Sequence, residues 1–282
     1  MDRIKQRVQK TDRHIVEGLN TLSFQDGQLF YLYVPGKAIA EPTAARILVS
    51  VHEYTGSRAN ARGRAKVRTY AEYWADLADE KGWVVLAPHF DERRFNRDYQ
   101  RLNPTGLRAD LRLNALVDEV GKMLPGILAA PFFLFGFSGG GQFVHRYLTF
   151  SPERVDRAVC GAPGWYLWRD PTLPYPVGTA QKTLPCGLRP RWRQLCQARV
   201  LLIVGQRDTV QRAFRRRYHG YDLMSLQGRG RKERAVNWFA SLQQMAREEG
   251  WPFRMALKVL PRGGHVVNQS FLECAANHLC QD

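Results

Sequence analysis

Phe135-Gly136-Phe137-Ser138-Gly139-Gly140-Gly141 is the stretch whose reading decides the fold. The apolar run Pro131 to Phe137 leads straight into Gly136-x-Ser138-x-Gly140. That is the layout of a nucleophile elbow, in which a buried strand gives way to a sharp turn holding a serine and then to a helix. Such a turn forces the serine into a strained backbone conformation. Glycines two residues to either side let strand and helix pass close together.

Outward from the elbow, strand-like and helix-like segments alternate. Upstream, Arg46 to Val51 and Trp83 to Pro88 are short apolar runs of buried-strand type. Between them, Val67 to Lys81 has helical spacing and stops before Gly82, a C-cap residue. Leu107, Leu111, Val117, Val120 and Leu124 mark one face of a further helix. Downstream, Val155 to Cys160, Arg199 to Val204 and Met255 to Leu260 read as strands, and Arg231 to Glu249 as a helix. Near the N-terminus, Asp26-Gly27 between Thr21–Phe24 and Leu29–Val34 signals a hairpin. This pattern predicts an α/β fold: a mostly parallel central sheet with an antiparallel N-terminal hairpin and helices on both faces. Residues 161–197 break the alternation after the sixth strand. They are rich in Pro, Gly and aromatics, among them Trp165, Tyr166, Trp168, Tyr175 and Trp192, and are expected to form a lid or pocket wall within a single domain, 1–282.

Bulk properties narrow the function classes. With 282 residues, 44% of them hydrophobic, the chain can bury one large α/β core. No apolar run approaches the roughly 20 residues of a membrane span, and no apolar stretch of signal-peptide type follows Met1, so a cytoplasmic location is expected for the sequence unless it is a processed secreted form. The five cysteines, Cys160, Cys186, Cys196, Cys274 and Cys280, match no zinc or redox spacing and are expected as free thiols, with a Cys186–Cys196 bridge the alternative. No metal or organic cofactor is expected. The net charge of +16 is dominated by arginine and spread along the chain, its one tight run being Arg215-Arg216-Arg217 beside Arg212. No nucleic-acid motif accompanies it, so an Arg-rich solvated surface is favoured over a nucleic-acid binder. Anionic substrates and a homodimer stay open.

A serine hydroxyl needs a base, a carboxylate to orient that base, and N–H donors for the oxyanion. In α/β-hydrolases acid and base follow the serine in that order, each past a later strand. Asp208 closes the strand Val200 to Gly205 through Gln206-Arg207, ahead of Asp222 and Asp170, which follow no strand directly. His265 follows Met255 to Leu260 through Pro261-Arg262-Gly263-Gly264. Its competitors are His219 in a polar loop and His278 in a terminal helix-like tail.

With these residues in place the chain resembles the α/β-hydrolase superfamily from about residue 28 onward. Val51-His52-Glu53-Tyr54-Thr55-Gly56-Ser57 is similar to the oxyanion loop of polyester (polyhydroxybutyrate) depolymerase-like and feruloyl-esterase-like members, and Trp83 to Pro88 to their next strand. The resemblance implies Ser138 as nucleophile, Asp208 as acid, His265 as base, and the main-chain N–H groups of Tyr54 and Gly139 as oxyanion donors. It implies a serine esterase acting on a small-molecule ester. Relatives carry His-Gly where this chain has His52-Glu53. Glutamate lacks glycine's backbone freedom, so Glu53 either imposes another loop conformation or contacts a cationic substrate group or a basic neighbour. His52, Glu53, His89, Trp165, Tyr166 and Trp168 are candidate pocket residues. Two rivals remain: a peptidase or amidase, because Ser138-Gly139-Gly140-Gly141 also fits the Gly-x-Ser-x-Gly-Gly form of oligopeptidase-like hydrolases, and a catalytically silent binding protein with a basic surface.

Overall fold

Strands rich in Val, Leu, Ile and Phe, with no polar alternation, can be stable only with both faces covered. The computed structural model, which describes residues 15–55, 61–95, 98–102, 106–209 and 225–281, bears this out. Its eight strands are β1 (Gly18–Ser23), β2 (Leu29–Val34), β3 (Arg46–Val51), β4 (Val84–Pro88), β5 (Leu128–Phe137), β6 (Val155–Gly161), β7 (Arg199–Gly205) and β8 (Ala256–Leu260). They form one sheet in the order β1-β2-β4-β3-β5-β6-β7-β8. β2 runs antiparallel to β1 and β4, and the pairs from β4 through β8 are parallel. The hairpin predicted at Asp26-Gly27 joins β1 to β2, with Gly27 at φ 78°.

Alternate residues of each strand sort to opposite faces. Leu48, Val85, Phe133, Phe135 and Val159 face one core, with α1 (Ala61–Glu72), α2 (Ala75–Lys81) and the C-terminal helix packed on them. Val49, Leu86, Leu134 and Cys160 face the other, under α3 (Ala109–Met123), α4 (Gly139–Phe150), the short α5 (Trp192–Gln197) and α6 (Arg231–Glu248). The C-terminal helix is α7 (Gln269–Leu279).

Two expectations about helices change. The helix foreseen over Val67 to Lys81 starts at Ala61 and breaks at Trp74 (φ −111°, ψ 4°). The break sends the indole into the core, where its Nε1–H donates to Ser50 Oγ at 3.2 Å. Gly82 does end α2 in the left-handed conformation, φ 70°. In α3 the buried stripe is Leu113, Leu116, Val117 and Val120, while Leu107 and Leu111 are exposed. The true stripe has the i, i+3, i+4, i+7 repeat that packing requires. All five cysteines are free, so Cys186 and Cys196 form no bridge. No helix among the described residues is long and apolar enough to cross a membrane. The Arg212–Arg217 run, His219, Asp222, Gly56 and Ser57 lie outside the described residues.

Histidines 52, 89, 145 and 278 are buried. Burial disfavours the imidazolium and lowers all four, His52 to about 3. The unfolded chain takes up protons below about pH 6.5 that the native state refuses, so stability is lost as pH falls. Urea midpoints are predicted to decline from pH 6.5 toward 4.5, each histidine that stays neutral contributing up to about 1.4 kcal/mol per pH unit. A flat profile down to pH 4.5 would contradict this neutral-histidine core.

Candidate active site

Ser138 lies between β5 and α4 at φ 55°, ψ −109°. An L-residue adopts such angles only where its surroundings impose them. The imposing contacts are backbone to backbone. Ser138 N–H donates to Gly161 O at 2.8 Å, and Gln142 N–H starts the helix on Ser138 O at 3.0 Å. A methyl at Gly136 would stand 2.5 Å from the Gly140 carbonyl, and one at Gly140 would stand 2.2 Å from Val51 O. The elbow closes because neither residue has a side chain.

The three residues predicted from strand ends meet here. His265 Nε2 is 3.0 Å from Ser138 Oγ, and its Nδ1 is 2.8 Å from Asp208 Oδ2. A carboxylate only accepts, so Nδ1 carries the proton and Nε2 offers its lone pair to the serine O–H. The imidazole also packs on Phe137, ring centroids 4.8 Å apart. Asp208 is 3% exposed. Burial alone would raise its carboxyl. The hydrogen bond and charge of His265 and the Arg231 guanidinium, Nη1 at 3.1 Å from Oδ1, outweigh that and hold it below the usual aspartate range. Arg231 opens α6 and is one arginine among many, so nothing in the sequence singles it out.

The loop after β3 is braced from beneath by His52. Phe90 N–H donates to its Nε2 at 3.1 Å, which leaves Nδ1 as the donor to Glu53 O at 2.6 Å. The Tyr99 hydroxyl donates to His52 O at 2.7 Å, a contact with no signature in the sequence. These bonds hold the Tyr54 main chain against the start of α4: a Cβ built on Gly139 would lie 2.8 Å from Tyr54 N. The Tyr54 backbone nitrogen thus lies close to the first residue of α4, at the positive end of a 12-residue helix.

The remaining candidates are placed differently from one another. His52 is fully buried and both its nitrogens are engaged, so it supports the loop rather than lining a pocket. His89 is likewise buried, at the end of β4. Glu53 is not among the described residues with positive φ, so the loop does not need glycine there. Its carboxylate meets the Lys66 ammonium at 2.9 Å and accepts from the Tyr70 hydroxyl at 3.4 Å, the basic-neighbour role of the two foreseen. Trp165 and Tyr166 are buried. Trp165 lies under the Arg234 guanidinium, 4.5 Å from its centroid, and Tyr166 stacks on Trp238 at 4.6 Å. Trp168 is partly buried against the same core. Asp170 accepts hydrogen bonds from the N–H and hydroxyl of Thr172 within its own turn, and His278 hydrogen-bonds Arg199 O near the opposite edge of the sheet.

No protein-family model matches the sequence, and no curated protein does. Solved structures do. Poly(aspartic acid) hydrolase-1 from Sphingomonas sp. KT-1 superposes with a TM-score of 0.75 at 22% identity, over 93% of this chain and 98% of that one. LpqC, a poly(3-hydroxybutyrate) depolymerase from Bordetella parapertussis, superposes with a TM-score of 0.73 at 21% identity, over 94% and 91%. FphF, a fluorophosphonate-binding serine hydrolase of Staphylococcus aureus, gives 0.56 at 12% identity, over 94% and 99%. At these identities the likeness concerns the fold, and the chain has the α/β-hydrolase fold.

The two glycines Gly140 and Gly264 both flank site residues, yet they face opposite surroundings. A methyl on Gly264 meets nothing within 4 Å. Gly140→Ala is predicted to cost about 3 kcal/mol or more, and Gly264→Ala within about 0.5 kcal/mol, by urea denaturation. Equal losses would mean that the elbow is not closed by backbone contact.

Proposed function

We propose that the chain is a serine hydrolase that cleaves carboxylic esters through an acyl-enzyme on Ser138. The observation that carries this reading is the continuous hydrogen-bond chain Ser138–His265–Asp208, at 3.0 and 2.8 Å, at the start of α4. Ser138 Oγ attacks the ester carbonyl carbon while its proton passes to His265 Nε2. Asp208 holds Nδ1–H and stabilises the imidazolium. The tetrahedral oxyanion is bound by the N–H groups of Gly139 and Tyr54, where the helix field already favours negative charge. As it collapses, the bond to the alkoxide breaks and the leaving oxygen takes the proton from His265. Water then attacks the acyl carbon, gives a proton to Nε2, and the acid leaves as Ser138 recovers its hydrogen.

The same residues serve amide bonds. Hydrolysis of amide linkages in an anionic polymer is the second reading, favoured by the net charge of +16 and by the likeness to poly(aspartic acid) hydrolase-1. A silent binding protein would have no use for an assembled triad, which disfavours that reading.

A fluorophosphonate probe is expected to label the protein once per chain. Ser138→Ala is expected to abolish labelling and to lower kcat on a 4-nitrophenyl ester by about 10⁴-fold or more, with Asp208→Asn costing about 10⁴-fold. A folded wild-type protein that neither labels nor turns over any member of an ester and aminoacyl-anilide panel would sink the hydrolase reading. Faster turnover of anilides than of esters would favour the second.

A further inference from the structure

The turns that deliver the acid and the base are joined to each other. The turn Gly205-Gln206-Arg207-Asp208 closes with Asp208 N–H on Gly205 O at 3.1 Å, and Leu260-Pro261-Arg262-Gly263 closes with Gly263 N–H on Leu260 O at 3.2 Å. Gln206 N–H donates to Leu260 O at 2.9 Å and Arg207 N–H to Gly263 O at 2.8 Å. The two turns thus form one unit, and each carries an arginine at its third position.

Arg262 is unexpected there. Its φ is 58°, and after proline this position of the turn favours glycine or asparagine. Glycines follow at once in Gly263-Gly264, so the chain sets an arginine in the left-handed conformation beside residues better suited to it. A side chain kept at a backbone cost, three residues before His265, calls for a role of its own. Arg207, next to Asp208, is exposed as Arg262 is. Among the described residues no carboxylate pairs with either. The acid in these turns, Asp208, is fully engaged, one oxygen on His265 and the other on Arg231.

We propose that Arg207 and Arg262 form an anion-recognition pair at the rim of the site, and that the hydrolase reads a carboxylate on its substrate beyond the scissile ester. The inference rests on the serine-hydrolase reading and adds a substrate class and the residues that select it. Guanidinium groups suit carboxylates because their forked N–H donors match two oxygens. At a rim open to water, each such contact is modest and screened by salt.

The test compares the 4-nitrophenyl monoester of adipic acid with its methyl-capped counterpart, the same chain without the charge. The wild type is expected to favour the charged ester, and rising salt to erode that preference. In Arg207→Gln/Arg262→Gly the ratio of kcat/KM, charged over capped, is expected to fall about tenfold, chiefly through KM. Arg207→Gln/Arg262→Asn, which keeps a residue that accepts the turn, is expected to give the same ratio, so a folding defect cannot imitate the result. Equal losses on both esters, or an unchanged ratio in both variants, would overturn the proposal and leave the hydrolase reading standing. A wild type that hydrolyses neither ester would overturn both.

Discussion

The site depends on the backbone of Ser138, held at φ 55° by the close approach of α4 to the carboxyl ends of β3, β5 and β6. That conformation costs of order 1–3 kcal/mol and persists only if the helix cannot retreat. Every residue of α4 is buried. Arg146, fully buried, donates to the carbonyls of Gln100 and Gln142 at 3.0 and 3.1 Å and of Pro176 at 3.2 Å. His145 Nδ1 pairs with Gly141 O at 3.2 Å, and its Nε2 accepts from Leu167 N–H at 3.1 Å. Two of these partners, Pro176 and Leu167, belong to residues 161–197. Residues 161–197 are thus hydrogen-bonded to α4 from outside. Tyr166 serves that attachment, its ring 5.2 Å from that of His145, while Trp165 packs with Leu173, Val177 and Arg234.

Charge placement follows the same economy. Neutral histidines brace the frame, His52 under the loop after β3 and His145 in α4, because burial disfavours the imidazolium at both. The carboxylates of Asp208 and Glu53 are both paired. Asp208 is shared between His265 and Arg231, and Glu53 meets Lys66. With one oxygen accepting from His265 and the other from Arg231, the Asp208 carboxylate stays ionised and cannot swing away from the imidazole.

Much of this was legible in the sequence, because strand ends are. Apolar runs that stop at Gly205 and Leu260 placed Asp208 and His265 on one edge of a parallel sheet, and the fold brings that edge to Ser138. The hairpin was legible from Asp26-Gly27 for a similar reason, since few residues accept a positive φ. What stayed hidden depends on contacts distant in the chain. Tyr99 reaches His52 across 47 residues and Arg231 reaches Asp208 across 23, and no local pattern marks either. The break at Trp74 belongs to the same class, as the indole follows its hydrogen bond to Ser50 rather than the helical repeat of its own segment. Side-chain burial in the insertion could not be read either, because an aromatic that lines a cleft and one that plugs a core look alike in composition.

In the proposed mechanism Ser138, drawn into reach of His265 by a strained turn, carries the acyl group between two half-reactions. Acid quenching of the protein during turnover of a slow ester, followed by peptide mass analysis, tests it most directly. The account predicts an acyl adduct of at most one per chain, on the peptide holding Ser138, increased when Asp208 or His265 is weakened only if deacylation slows more than acylation. Turnover with the adduct on another residue, or turnover retained in full by Ser138→Ala, would contradict it.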